Sequence, residues 1–187
     1  DDLFLAAQDG SAALDAPKLP HALEIADAPL DADDTSVCHL HPKTAEALGL
    51  MAGDTVRIRG KRDHETLCTL AESGAVADGH LGLASGTRAN LRLAPGGVAK
   101  IYRCDNARSA SLVQLVPFGD ATGGLTSEEL RESVFSPHFF AADGEGNAPY
   151  RPLHEGDRIT LRHGAQLVEV KVALIEPARR AIVVPET

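Results

Sequence analysis

Cys38-His39-Leu40-His41 has the residue types of a metal site, one thiol and two imidazoles in a row. On an extended strand alternate side chains share a face, so His39 and His41 would point one way and Cys38 the other. A closed zinc site needs further ligands, and Cys68 and Cys104 stand alone in the chain. The cluster therefore reads as surface histidines, with no metal. His64-Glu65-Thr66-Leu67-Cys68 begins like a zinc-protease helix, but the second histidine is missing and the surroundings are those of a β-hairpin. A phosphate-binding loop has the form Gly-x-x-x-x-Gly-Lys-Ser/Thr. Gly53 to Gly60-Lys61 has another spacing, and Arg62 stands where the hydroxyl belongs. The stretch Ala142–Asn147 has one Asp and one Glu, short of the ligand set of a calcium loop. No Gly-x-Ser-x-Gly elbow occurs. These residues predict no catalytic residue, no metal and no nucleotide.

Composition narrows the classes further. A chain of 187 residues predicts one or two small domains, and 43% hydrophobic with 24% charged residues is ordinary for a soluble protein. A net charge of −9, no Trp and only two Tyr argue against a phosphate backbone or stacked bases as partner. No apolar run approaches the roughly 18 residues of a membrane span, and the start shows no signal-peptide pattern. The only methionine is Met51, which predicts a start downstream of the initiator, as in a fragment or processed form. Three cysteines without a close pair predict buried free thiols in a reducing compartment.

The elements that would position such residues are organised by a turn. Leu50-Met51-Ala52-Gly53-Asp54 precedes the alternating run Thr55-Val56-Arg57-Ile58-Arg59, with Val56 and Ile58 inward. Leu153-His154-Glu155-Gly156-Asp157 does the same before Arg158–Arg162, and Leu93-Ala94-Pro95-Gly96-Gly97 is a weaker copy before Val98. The intervals between the glycines, 43 and then 60 residues, are too irregular for a solenoid and suit small barrels that reuse one β-unit. Three unrelated turns remain an equal alternative.

Along the chain, residues 1–20 read as a tail with a short helical turn at Leu3–Ala7, then a strand over 21–26 and a polar turn at Asp31–Asp34. A strand over 35–41 leads into a helix over Pro42–Leu48, stopped by Gly49. Strands over 55–59 and 66–71 are joined by the basic hairpin Gly60–His64. Residues 72–90 carry no clear assignment, and Leu91–Leu93 and Val98–Cys104 read as strands. Asp105–Ser109 reads as a linker, followed by a strand over 112–116. Thr126-Ser127-Glu128-Glu129 is a capping box opening a helix to about Phe135, with Pro137 beyond its end. Ala142–Asn147 reads as a flexible acidic loop, and strands over 159–161, 167–173 and 181–184 complete a second β-rich half. Short strands, frequent turns and few helices predict small barrels.

Six islands stand in order: Leu50-x-x-Gly53-Asp54-Thr55-Val56; Gly60-Lys61; Arg88-x-Asn90-Leu91-Arg92; Thr122-x-Gly124-Leu125-Thr126; Tyr150-Arg151-Pro152-Leu153 with Gly156-Asp157; and Val168-Glu169-x-Lys171-Val172. In these the chain resembles the N-terminal domain of the valosin-containing protein and cell-division-cycle AAA+ ATPase family, over nearly its whole length. The resemblance implies a mainly β fold with a few short helices. Residues 1–20 would be a tail, 21–106 a double-psi β-barrel and 107–187 a smaller four-stranded β-barrel. It implies an adaptor- and substrate-recruiting domain of a homohexameric protein-unfolding ATPase, as in extraction from the endoplasmic reticulum. ATP and Mg would belong only to ATPase rings absent from this chain.

The implied partners are protein adaptors: UBX domains, basic helical motifs and the ubiquitin-fusion-degradation adaptor pair. No nucleic acid and no membrane insertion are implied. The groove between the barrels would be formed by Met51, Ala52, Asp54, Thr69, Ala71, Ser109, Tyr150 and Arg151, with a surface near Leu130–Phe140 as the alternative. The family has Phe at Met51, Arg at Ala52, larger aliphatics at Thr69 and Ala71, and Tyr at Ser109. A shallower groove and a specialised adaptor follow. The implied location is cytoplasmic, with recruitment to the endoplasmic reticulum membrane, or else the compartment around an algal-type plastid. A stand-alone double-psi-barrel enzyme and the ubiquitin-binding adaptor subunit itself are the rival readings.

Overall fold

In β3 (Thr55–Arg59) Val56 and Ile58 are fully buried while Arg57 and Arg59 face outward, as one-sided burial requires of an alternating strand. The same alternation closes six strands into a barrel. The others are β1 (His21–Asp27), β2 (Val37–Leu40), β4 (Glu65–Glu72), β5 (His80–Leu83) and β6 (Val98–Arg103), in the order β1-β5-β2-β4-β3-β6. The computed structural model describes residues 21–30, 32, 34–119, 122–141, 150–185 and 187. The expected tail, the helical turn at Leu3–Ala7 and the acidic loop at Ala142–Asn147 lie outside them, as does part of the turn at Asp31–Asp34.

The barrel consists of two halves with the same plan. From Val37 to His80 is 43 residues, and the same interval carries β2 to β5, helix α1 (Pro42–Leu48) to α2 (Ser85–Leu91), and Gly53 to Gly96. The pairings respect the exchange: β1 runs parallel to β5 as β4 does to β2, and β2–β5 and β3–β6 are antiparallel across the halves. Helix α1 begins on Pro42, whose missing N–H costs nothing in a first turn, and ends at Gly49 in the left-handed region. In α2 the corresponding cap is Arg92, at φ +55°.

This corrects the expected strand over Leu91–Leu93. Leu91 is buried as the last residue of α2, and Arg92 reverses the chain so that Leu93 enters the next turn. A Leu-x-Leu pattern serves a helix end and a turn as well as a strand. Residues 72–90, unassigned from sequence, hold β5 and α2.

The glycine turns are one unit used three times. Gly53 N–H donates to Leu70 O at 2.8 Å, Leu70 N–H to Asp54 O at 2.8 Å, and Asp54 N–H to Met51 O at 3.0 Å. Gly96, Ile25, Gly97 and Ala94 repeat these bonds at 2.8, 2.7 and 2.9 Å. Gly156, Val172, Asp157 and His154 repeat them at 2.8, 2.8 and 3.2 Å. Each turn docks on a strand residue as an extra rung of the ladder, and the glycines sit at φ +91°, +80° and +98°, which favours Gly.

The third turn belongs to a second β-rich half. Its strands are β7 (Arg108–Ser109), β8 (Leu112–Pro117), β9 (Pro152–His154), β10 (Arg158–His163), β11 (Gln166–Glu176) and β12 (Arg180–Ile182), in sheets ordered β10-β11-β8 and β7-β12-β9. Part of the expected linker, Arg108–Ser109, is thus a strand paired in parallel with β12. Thr126 and Glu129 close a capping box on α3 (Ser127–Leu130). A wider π turn over Arg131–Phe135 then leads into α4 (Ser136–Phe140). Pro137 was expected beyond the helix and lies inside it. The wide turn, with Ser136 N–H bonded to Arg131 O, sets the proline at the start of a new segment, where it needs no donor.

One core spans residues 23 to 101, with Ile25, Leu40, Ile58, Leu70, Leu81 and Leu83 at its centre. The other spans 110 to 183, with Val134, Leu161, Val168, Val170 and Val172.

Candidate functional site

The two halves meet through polar side chains. Arg151, just before β9, reaches the barrel: its Nη1 pairs with Asp34 Oδ2 and donates to Ser36 Oγ at 2.8 Å, while its Nε donates to His138 O at 2.8 Å. Asn90 of α2 exchanges two hydrogen bonds with the backbone of Arg158, at 2.8 and 2.9 Å. Glu65 of β4 takes Arg180 at 2.9 Å and faces His154 Nε2 at 3.7 Å. Thr66 Oγ1 donates to Asp157 Oδ2, and both residues are buried. A cleft of about 390 Å³, lined by His64, Glu65, Asn90, His154, Asp157 and Arg179, opens beside these contacts.

The expected groove residues fall into two groups. Met51, Ala52 and Asp54 form the first turn, which docks on β4 at Leu70 between Thr69 and Ala71, so these five come together. Thr69 and Ala71 lie on the outer face of β4, beside Val37 and His39 of β2. Ser109 and Arg151 flank the end of β12 from opposite sides: Ser109 pairs with Ile182, and Arg151 O accepts from Val183 N–H at 2.9 Å. The two groups are linked by Ser36, which holds Arg151 through its hydroxyl and accepts from Thr69 N–H at 2.8 Å through its carbonyl. Met51 and Tyr150 are 63% and 57% exposed, and Tyr150 holds φ +34°, a backbone state that L-residues seldom take. Asp54 is tied to its own turn: Oδ2 accepts Met51 N–H at 2.9 Å and Oδ1 faces Arg103 at 3.6 Å.

A larger apolar cleft, about 430 Å³, lies on the second half between β8 and the helical segment. Leu112, Val113, Leu115, Phe135, Phe139 and Phe140 line it, with Arg131 at its rim. Among the described residues β8 is the last strand of its sheet, so its outer edge faces this cleft with no described strand beyond it. The helical side of the cleft belongs to the surface expected near Leu130–Phe140. The β8 side was not singled out, because Leu112–Val116 alternates like any half-buried strand. The Leu112 and Val116 side chains remain exposed.

Burial sets the local electrostatics. The Asp157 carboxyl is pushed up to about 7 by burial, against the Thr66 hydroxyl, which lowers it. His138 is pushed down to about 4 by burial, with the Arg151 charge acting the same way and Asp34 opposing. Burial also lowers His154, with Glu65 opposing. Asp34 stays below its ordinary value: burial raises it, but the Arg151 charge and the bonds from Ser36 and Arg151 together outweigh burial.

His39 corrects the expectation of surface histidines. It is only 9% exposed, its Nδ1 has no partner among the described residues, and burial lowers its affinity for a proton. The outer face of β2 is covered here, since the space beside Gly82 is filled by Val76 and His39. Cys38, Cys68 and Cys104 are buried and unpaired. A hydrogen-bonding interaction with the Cys38 thiol, then burial, raises the Cys68 thiol well above its ordinary range. No described helix is long and apolar enough to cross a membrane. No protein-family model matches the chain.

Proposed function

We propose that this chain is the adaptor-recruiting N-terminal domain of a hexameric AAA+ protein-unfolding ATPase, acting in ubiquitin-dependent extraction or translocation. The supporting observation is the shared docking turn. Two copies relate the halves of the closed barrel, and a third recurs in the second β-rich half fastened to it. That arrangement supports reading the first unit as a double-psi barrel and the second as the smaller four-stranded barrel, with ATP and Mg confined to rings outside this chain. Met51, on the first turn, and Tyr150, just before β9, are large, exposed side chains that the cores do not use. They would receive the apolar tip of a UBX domain or a basic helical motif, with Asp54 as counter-charge. The β8 cleft supplies a second surface, where an extended segment of the ubiquitin-fusion-degradation pair would add a strand and bury alternate side chains.

The rival reading as a stand-alone enzyme draws on Asp157, a buried carboxyl with a raised pKa beside a cleft. Thr66 donates a hydrogen bond to it, and among the described residues no Ser or Cys lines that cleft. The location that goes with the proposal is cytoplasmic, with recruitment to the endoplasmic reticulum membrane, or the compartment around an algal-type plastid. Affinity capture with the wild-type chain and with Tyr150→Ala from the source cell's own extract tests it. Adaptors carrying UBX-type folds should bind the first and be depleted on the second. Equal recovery on both would remove the groove from the proposal.

A further inference from the structure

Among the described residues, one buried side-chain nitrogen or oxygen has no hydrogen-bond partner, and it is His39 Nδ1. The residue is 9% exposed and stands on the outer face of β2, level with Ala71 of β4 on one side and Gly82 of β5 on the other. Val76 closes the Gly82 side, where a Cβ would meet Val76 Cγ2 at 2.8 Å and His39 Cβ at 3.3 Å. Ala71, on the other side, belongs to the face beside the first turn. His41, two residues on, shows a histidine whose polar atom is used: its Nδ1 accepts the Lys43 amide at 3.2 Å and caps α1.

The orphan atom fixes where the ring carries its proton. Burial lowers the proton affinity of His39, with Asp34 opposing, so at pH 7 the ring is neutral and holds one proton. On Nδ1 that proton would be a buried donor with nothing to receive it, the rarer and costlier arrangement. The proton therefore sits on Nε2. Of the two ring nitrogens, only Nδ1 is both sealed and without a partner. Leucine in this place would fill a similar volume with no polar atom to bury, so the imidazole costs stability where it stands. A residue that breaks the local rule on a face read as a binding surface points to a role in binding.

We propose that His39 sets the specificity of the adaptor face: its Nε2–H, on the Ala71 side, donates to a main-chain carbonyl at the tip of the adaptor. This rests on the adaptor-recruiting reading and names the chemistry the adaptor must bring. Ala71 is small enough for a backbone to approach the ring. The net charge of −9, with Asp54 on the first turn and Asp34 just before β2, favours a neutral carbonyl over a carboxylate as the acceptor.

The 187-residue chain can be tested with and without a partner. Long-range proton–nitrogen NMR correlation should show His39 with Nδ1 bare and the proton on Nε2. In urea unfolding, His39→Leu should be at least as stable as wild type, because the orphan atom is gone. A histidine kept for structure alone would lose stability on the same change. Calorimetric titration then uses whichever of an isolated UBX domain and the ubiquitin-fusion-degradation pair binds wild type. His39→Leu should bind it about fivefold more weakly, the weight of one hydrogen bond. His39→Gln, whose amide nitrogen reaches the place of Nε2, should stay within about twofold of wild type. A proton on Nδ1, a less stable His39→Leu, or full affinity in His39→Leu would overturn the role of His39 and leave the adaptor reading standing. Binding of neither partner by wild type would remove that reading and this inference together.

Discussion

Leu70 and Ile25 hold the same place in the two halves of the barrel: each accepts the amide of a turn glycine and donates its own amide to the carbonyl of the next residue. Gly53, which docks on Leu70, and Gly60, at the far end of β3, make two glycine substitutions informative as a pair. Gly53 sits at φ +91° with open space where a Cβ would go, so Gly53→Ala should cost only backbone strain, about 1–2 kcal/mol. A Cβ at Gly60 would meet Leu91 O at 2.3 Å, so Gly60→Ala must displace α2 and should cost about 3 kcal/mol. Urea unfolding of both variants checks the order.

Arg151 fastens the second half to the barrel and leaves Asp34 without its cation when removed. Arg151→Met should destabilise by about 2 kcal/mol at pH 7, a buried-pair loss discounted for partial exposure. Asp34 has a lowered folded pKa, so its contribution is present above its ordinary value of 3.8 and is lost as the pH falls through the lowered one. The gap between wild type and variant in thermal unfolding should therefore narrow below pH 3.8.

Much of the barrel was legible in the sequence because β3, α1 and β6 each carry their own signal: alternation, a proline start, a glycine stop. The 43-residue interval was visible between Gly53 and Gly96. Its meaning was not, since α2 lacks a proline start and its cap is Arg92. His39 was misplaced because alternation gives the face of a strand but not what packs over that face. The join was illegible for a similar reason. Arg151, Asp34 and Ser36 are far apart in the chain, and only the fold brings them together. Of the proposed groove, Gly53-Asp54 could be read as a turn, but the tie of Asp54 to Met51 and Arg103 could not.

Asp54 therefore has two roles to separate. Asp54→Ala should cost about 1 kcal/mol of stability through the lost turn bond, whatever it does to binding. Met51→Ala and Tyr150→Ala remove exposed side chains and should leave unfolding within about 0.5 kcal/mol of wild type. Chemical denaturation of the three variants distinguishes them before any binding is measured.

Thr69 and Ala71 limit the apolar area beside the first turn. Thr69→Ile with Ala71→Leu should strengthen binding of a generic UBX domain, at about 25 cal/mol per Å² of apolar surface newly covered. Leu112→Asp, in the β8 cleft, should leave UBX binding unchanged and weaken an extended-segment adaptor. Fluorescence titration of both variants against both partners reads this directly.

The central claim is that this chain recruits adaptors between its two halves, and calorimetric titration with an isolated UBX domain and with the ubiquitin-fusion-degradation pair tests it most directly. At least one partner should bind with a micromolar Kd, about −8 kcal/mol, and Tyr150→Ala should weaken that binding roughly tenfold. No binding by either partner at concentrations about a hundredfold above a micromolar Kd, or full affinity in Tyr150→Ala, would contradict it.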